Sequence, residues 1–195
     1  MSKKRYPIRI PRAAAGIRAQ ESRAGAGRSW WSRRWMETLE RMGLGARLGR
    51  GKNYALSGQV TEMRLEGPHV EAAVVGSRPD PYRVTVDFRA PAGAAHARLV
   101  AALKAEPMRL ARLLVDDLPL EVESLFRAEG CDLFPGGKLA PGVYDMTTRC
   151  SCPDYANPCK HSSAVLLILG EEVARRPMTL LELRGLTVEE LCDEG

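Results

Sequence analysis

Apolar residues recur at intervals of three or four from position 29 to 42. Trp31, Trp35, Leu39 and Met42 line one face behind Ser29, a good N-cap, so the spacing predicts a helix. Trp30 falls off that stripe and is the candidate for an exposed aromatic contact. Gly43, Gly45, Gly49 and Gly51 then break the pattern, and the glycine-rich stretch lacks the G-x-x-x-x-G-K-[ST] of a nucleotide loop. From 53 to 88 the period changes to two. Strands are expected over 54–65, 70–75 and 82–88, with turns at Gly67-Pro68, where His69 is expected to lie exposed, and at Arg78-Pro79-Asp80-Pro81. Val84, Val86 and Phe88 alternate with Arg83, Thr85 and Asp87, as a half-buried strand requires. Residues 92–130 return to helical spacing, with Pro107 and Pro119 at breaks or first turns and Gly130 as a stop. A Gly- and Pro-rich loop spans 131–143. After it come a strand over 144–149, a buried helix from Ser162 to about Gly170 and a short helix over 177–184. Thr187-Val188-Glu189-Glu190 has the form of a capping box opening a last helix.

The pattern predicts an α+β fold: an antiparallel β-meander followed by helices, with a C-terminal strand–loop–helix unit and a flexible basic N-terminal arm. The expected divisions are 1–28 (arm), 29–135 (α+β domain) and 136–195 (the terminal unit and last helices). No internal repeat is visible.

The chemistry concentrates in the terminal unit. Cys150, Cys152, Cys159 and His161 fall within twelve residues, as C-x-C, a gap of six, then C-x-H. Three thiolates and an imidazole make a tetrahedral set suited to structural zinc. Residues two apart point the same way only on extended backbone, so Cys150 and Cys152 fit the end of a strand. Pro153 and Pro158 keep the residues before them away from helical angles, so the helix can begin only at about Cys159–His161. Four ligands leave no open position for water, and Zn2+ is expected in a structural role. Cys131 and Cys192 are read as structural or free thiols, and His69 and His96 as non-ligands.

This signature resembles the SWIM zinc finger, as found in bacterial SWIM proteins. The words Cys150-Ser151-Cys152-Pro153-Asp154-Tyr155 and Asn157-Pro158-Cys159-Lys160-His161 carry the likeness. So do Trp30-Trp31-Ser32-Arg33-Arg34-Trp35, Gly76-Ser77-Arg78, Pro81-Tyr82-Arg83-Val84, Leu133-Phe134-Pro135 and Leu183-Arg184-Gly185. The resemblance implies a zinc-binding accessory protein and does not imply an enzyme. It also implies association with DNA, with other proteins, and often with a SWI2/SNF2-type helicase-like ATPase.

Charge sharpens that expectation. Residues 1–52 carry 14 Lys and Arg against 3 Asp and Glu, a net +11, whereas 53–195 are net −6. A basic head on an acidic body suits a polyanionic partner. The candidate phosphate contacts are Lys3, Lys4, Arg5, Arg9, Arg12 and Arg28 in the arm, Arg33 and Arg34 in the first helix, and Arg47, Arg50 and Lys52 in the glycine-rich stretch. A solubilising tail is the other reading of the arm. The expected function is therefore a zinc-binding adaptor for nucleic acid, DNA favoured, and/or a SWI2/SNF2-type partner. A pure protein-interaction subunit is the alternative. With no serine-nucleophile elbow, phosphate loop or open metal position, catalysis is not expected. With no long apolar run or signal-like segment, the expected place is the cytoplasm, at the nucleoid in a bacterium.

Overall fold

The computed structural model describes residues 10–20, 29–135, 138–140 and 143–193. Helix α1 (Trp30–Arg41) begins after Ser29, whose hydroxyl accepts a hydrogen bond from the Ser32 amide, and α2 (Ala46–Leu56) follows. Strands β1 (Val60–Glu66), β2 (His69–Val74) and β3 (Tyr82–Phe88) form the meander. Helices α3 (Ala94–Lys104), α4 (Pro107–Leu114) and α5 (Glu121–Ala128) come next, then the small hairpin β4 (Lys138–Ala140) and β5 (Val143–Tyr144). Strand β6 (Met146–Cys150), α6 (Lys160–Arg175), α7 (Met178–Glu182) and α8 (Val188–Cys192) complete the order. Strand β6 pairs antiparallel with β3, so the four-stranded sheet runs β1-β2-β3-β6. The α+β class, the meander and the strand–loop–helix unit are thus as the hydrophobic pattern predicts.

Strand alternation puts Val70, Val74, Tyr82, Val84, Val86 and Phe88 on one buried face. Helix α6 covers that face. Its apolar residues run around most of its circumference, the composition of a helix enclosed on all sides. Helices α1 and α2 close over its other side, so residues before and after position 136 contribute to one core. Trp35, buried on α1, donates its indole N–H to the Leu166 carbonyl at 3.1 Å, and Trp31 donates to the Ala174 carbonyl. A side chain at Gly170 would stand 2.6 Å from the Trp35 ring, so glycine there lets the indole lie against the helix.

Three expectations need correction. The glycine-rich stretch breaks the chain only at Gly43 and Gly45, between α1 and α2; Gly49 and Gly51 lie within α2, and the strand after it starts at Val60 rather than at 54. The glycines disguise a helix whose Gly51 lies against α6, where an added Cβ would be 2.5 Å from Ser163 Cβ. Trp30 is not an exposed contact. It is half-buried, packs edge-on against Phe134 at 5.7 Å and donates to the Leu118 carbonyl. His69 opens β2 half-buried, with Nδ1 2.6 Å from Asp87.

The arm was expected to be flexible throughout 1–28, yet residues 10–20 lie against the body. The amides of Arg12, Gly16, Ile17 and Ala19 donate to the carbonyls of Gly76, Gly58, Val60 and Ala55. Ile17 bridges Val60 at the start of β1 and the others bond outside that strand, through backbone pairing that hydrophobic periodicity does not encode. Residues 1–9 and 21–28 lie outside the described residues.

Arg184, 1% exposed, makes a bidentate pair with Asp145 at 2.9 and 2.6 Å and donates to the carbonyls of Leu133 and Arg89. It joins the turn after α7, the chain after β3 and the entry to β6. Thr187 caps α8 through Glu190 N as the capping box predicts, while the Glu190 carboxylate lies 2.7 Å from His96. No helix among the described residues is long and apolar enough to cross a membrane.

Two glycines on α2 give opposite expectations. Gly51→Ala drives a methyl into α6 and should cost about 1–3 kcal/mol. Gly49→Ala, with nothing within 4 Å, should gain up to about 1 kcal/mol of helix propensity. Urea unfolding of both variants checks this, and equal signs would contradict the close approach of α2 to α6. Asp145→Ala strands the Arg184 charge in the core and should cost about 3–5 kcal/mol by the same measurement.

Candidate metal centre

Strand β6 delivers Cys150, paired with Val84, at its end. The chain then leaves the sheet, supplies Cys152, and returns to Cys159, the N-cap of α6, and His161 in its first turn. The loop is pinned between the ligands. Asn157 donates to the Thr148 carbonyl and accepts from the Thr148 hydroxyl, and the Ala156 amide donates to Asp154 at 3.1 Å. Asp154 is thereby turned back on its own loop and does not enter the ligand set.

The four donor atoms lie within 4.8 Å of one another. His161 Nδ1 stands 3.8 Å from Cys150 Sγ and 3.7 Å from Cys159 Sγ. A zinc tetrahedron with Zn–S near 2.3 Å and Zn–N near 2.0 Å has edges of about 3.5–3.8 Å, which the two Nδ1–Sγ separations already match. His161 is buried, and its Nε2 has no hydrogen-bond partner among the described residues. Nδ1 is the nitrogen turned to the sulfurs. Tyr82 stacks on the imidazole at 4.5 Å and Tyr54 meets it edge-on at 5.1 Å. Gly76 allows this: a Cβ there would stand 2.4 Å from the Tyr82 ring and 3.4 Å from His161 Nε2.

Without metal the sulfurs share protons unequally. Cys159 is lowered to about 3, chiefly because the Cys150 thiol donates to it, with further help from His161 and the Ser162 amide; burial opposes the shift. Cys150 is correspondingly raised by that same bond and by burial, and Cys152 is raised mainly by burial. The amides at the α6 N-terminus also favour charge on Cys159.

The candidate phosphate contacts fall into separate groups. Lys3, Lys4, Arg5, Arg9 and Arg28 lie outside the described residues. Arg12 is exposed and anchored, its guanidinium donating to the Pro79 carbonyl at 2.7 Å. Arg34 is half-buried and raised by its hydrogen bond and ion pair with Glu123 on α5, 2.9 Å away. Its neighbour Arg33 is exposed on α1. On α2, Arg50 and Lys52 are exposed and Arg47 is half-buried.

Beyond the candidate phosphate contacts, the fold gathers four other cations at the metal end of the sheet. Lys160 sits over the Tyr54 ring at 5.2 Å, and Arg78 faces the Tyr82 ring at 6.0 Å. Arg83 exchanges hydrogen bonds with Ser151, and Arg149 precedes Cys150 on the open face of β6. The signal was present in Arg78, Arg83 and Lys160, each within the family-like words.

The class defined by this geometry is a closed Cys3His metal centre on a strand–loop–helix unit. Residues 143–170 match the family model of the SWIM zinc finger, so the chain carries a SWIM zinc finger with Cys150, Cys152, Cys159 and His161 at its metal cluster. Over 185 residues the chain is 36% identical to "Uncharacterized protein Rv2102" of Mycobacterium tuberculosis, a match covering 95% of this chain. The chain spans 65% of that relative's length. No solved structure matches it.

Metal binding must displace the protons that Cys150 and Cys152 hold in the metal-free cluster. Because both thiols are raised, protons compete more strongly as pH falls, so zinc affinity should rise with pH across the neutral range. Titration of metal-free protein against a chromophoric chelator at several pH values checks this. Cys152→Ala should lower the affinity by more than about tenfold. A pH-independent affinity, or an unchanged Cys152→Ala variant, would contradict this ligand set.

Proposed function

We propose that the protein is a zinc-binding SWIM-type adaptor that binds nucleic acid, DNA favoured, and joins it to a protein partner such as a SWI2/SNF2-type ATPase. The donor set supports zinc: three sulfurs and one nitrogen within 4.8 Å of one another, with no oxygen ligand required. It also supports a structural role, since four protein ligands leave no position for a reactive water. The protein then acts by contact rather than by chemistry, and does so in the cytoplasm, at the nucleoid in a bacterium.

The observation that carries the nucleic-acid reading is the gathering of cations around the metal. Arg12, Arg78, Arg83, Arg149 and Lys160 lie on the loops and strand ends that hold the cluster, against Asp80 and Asp154 on the same loops. The basic segment with Lys3, Lys4, Arg5 and Arg9 joins the described structure at Ile10, two residues before Arg12 is anchored to Gly76 and Pro79. A cationic surface of this kind binds a polyanion through counterion release.

The protein-partner half rests on a different surface. Met108, Leu114, Val115 and Leu120, on and just after α4, are 73%, 48%, 74% and 60% exposed. A cluster of large apolar side chains in water suits a protein contact.

Zinc-loaded full-length protein should bind DNA with an affinity that falls steeply with salt. Removing residues 1–9 should flatten the log–log slope by about 3, from four cations at roughly 0.7–0.9 each. Fluorescence anisotropy across a salt series reads this directly, and an unchanged slope would remove the arm from the interface. Affinity purification from the native cell with nuclease should retain an ATPase partner. If nothing survives nuclease, the adaptor role falls and a nucleic-acid binder remains.

A further inference from the structure

We infer that the metal loop is built to take a single strand of nucleic acid, with an unstacked base on Tyr155 and the flanking phosphates on Arg149 and Arg83. The inference rests on the reading of the metal end as a nucleic-acid contact and names the ligand class and the residues that select it.

Tyr155 is 99% exposed, the most exposed large apolar side chain among the described residues. Its loop is nonetheless tightly held. Cys152 and Cys159 fix the two sides through the metal cluster, and Asn157 is bonded to Thr148 on the outer edge of β6. The Ala156 amide closes a turn on Asp154. A ring carried on a pinned loop loses little entropy when something stacks on it, since only its two side-chain torsions remain to be ordered. A buried role is excluded by its exposure, and a hydrogen-bonding role within the fold by the absence of any partner among the described residues.

The bond from Asn157 to the Thr148 carbonyl brings the loop that carries Tyr155 to the strand that carries Arg149, while the neighbouring Asp154 carboxylate is turned onto the Ala156 amide; the charges on that strand decide what stacks. Strand register puts Arg83 opposite Ser151 and Thr85 opposite Arg149, so Arg83 and Arg149 are diagonal neighbours on one face of the sheet. Diagonal positions lie about 7–8 Å apart, within reach of two arginines to one chain of phosphates. Both side chains are exposed on the face opposite the core. Arg149 has no ion pair among the described residues, and the Arg83 contact to Glu71 is long, at 3.7 Å, with Arg83 78% exposed. An exposed aromatic beside cations that lack strong carboxylate partners is the arrangement that binds single strands: bases stack on the ring and phosphates meet the cations. A base-paired duplex offers the ring no free base face, so the loop should prefer single strands.

The test measures anisotropy with zinc-loaded full-length protein and four labelled probes: oligothymidylate, oligouridylate, an abasic strand of equal length and a duplex. Wild type should bind the base-containing single strands tighter than the abasic strand or duplex. Tyr155→Ala should weaken single-strand binding by at least about fivefold while leaving abasic and duplex binding unchanged. Tyr155→Trp should restore it. Arg83→Gln/Arg149→Gln should reduce the salt slope by about 1.4, at roughly 0.7 per phosphate contact on a single strand. Because Tyr155 touches nothing in the core, zinc content and melting temperature should match wild type and exclude misfolding as the cause. If Tyr155→Ala binds every probe as wild type does, the stacking inference is overturned while nucleic-acid binding stands. If wild type binds none of the probes, the broader reading falls with it.

Discussion

The convergence of Cys150, Cys152, Cys159 and His161 is the constraint on which the architecture depends. Two ligands belong to the end of β6 and the loop beyond it, two to the start of α6. An ion held there is a cross-link between the sheet and the helix that covers it. The linkage reaches far because α6 is the central element: α1 and α2 pack on one side of it and the sheet on the other. Structural zinc sites contribute on the order of 10–16 kcal/mol to folding, as much as the whole net stability of a typical domain, about 5–15 kcal/mol. Such an ion therefore bears on the body of the protein and not only on a peripheral loop. His161 shows how closely the two are joined. Its ring is at once a ligand and a core side chain, stacked against Tyr82 of β3 and met by Tyr54 of α2.

Much of this was readable from local chemistry. The ligand spacing named the metal cluster, the prolines marked where extended backbone had to give way to helix, and the period-two stretches gave β2 and β3. What was not readable depended on partners distant in sequence. A glycine-rich segment reads as a break because glycine costs about 1 kcal/mol in a helix. It is a helix here because Gly51 permits an approach to Ser163 that a side chain would forbid. Residues 10–20 have no amphipathic pattern because they are held by backbone amides. Trp30 lies off the stripe of α1 because the stripe describes one interface, whereas that indole faces a second one made by Leu118 and Phe134.

The short words that carry the family resemblance, scattered from 30 to 185, meet in two places. Gly76, Tyr82 and His161 make one, around the imidazole. The other lies where Arg184 binds Asp145 and the Leu133 carbonyl, one residue from the Phe134 that packs on Trp30. The first supports the ligand ring. The second secures the chain as it enters β6, five residues before Cys150. Both hold the two sides of the metal centre in register, which explains why the likeness extends far beyond the finger itself.

The same architecture sets apart two exposed surfaces that answer to different forces. Strand β6 is an edge strand, and its loop folds back over that edge through Asn157 and Thr148. The open edge is thereby occupied, which removes strand pairing as a mode of association at this side of the sheet. Contacts near the metal are left to side chains: the exposed ring of Tyr155 and the cations beside it, whose attraction is electrostatic and falls with salt. The apolar side chains of α4 and the turn after it are carried by an element whose main neighbour is α3. Association there is driven by burial of apolar area and is little affected by salt. Surfaces that respond to different forces can be engaged independently, and neither occupant needs to displace the other. That independence is what the proposed adaptor role requires, and it arises because the Cys3His cluster lies at one end of the sheet, away from α4.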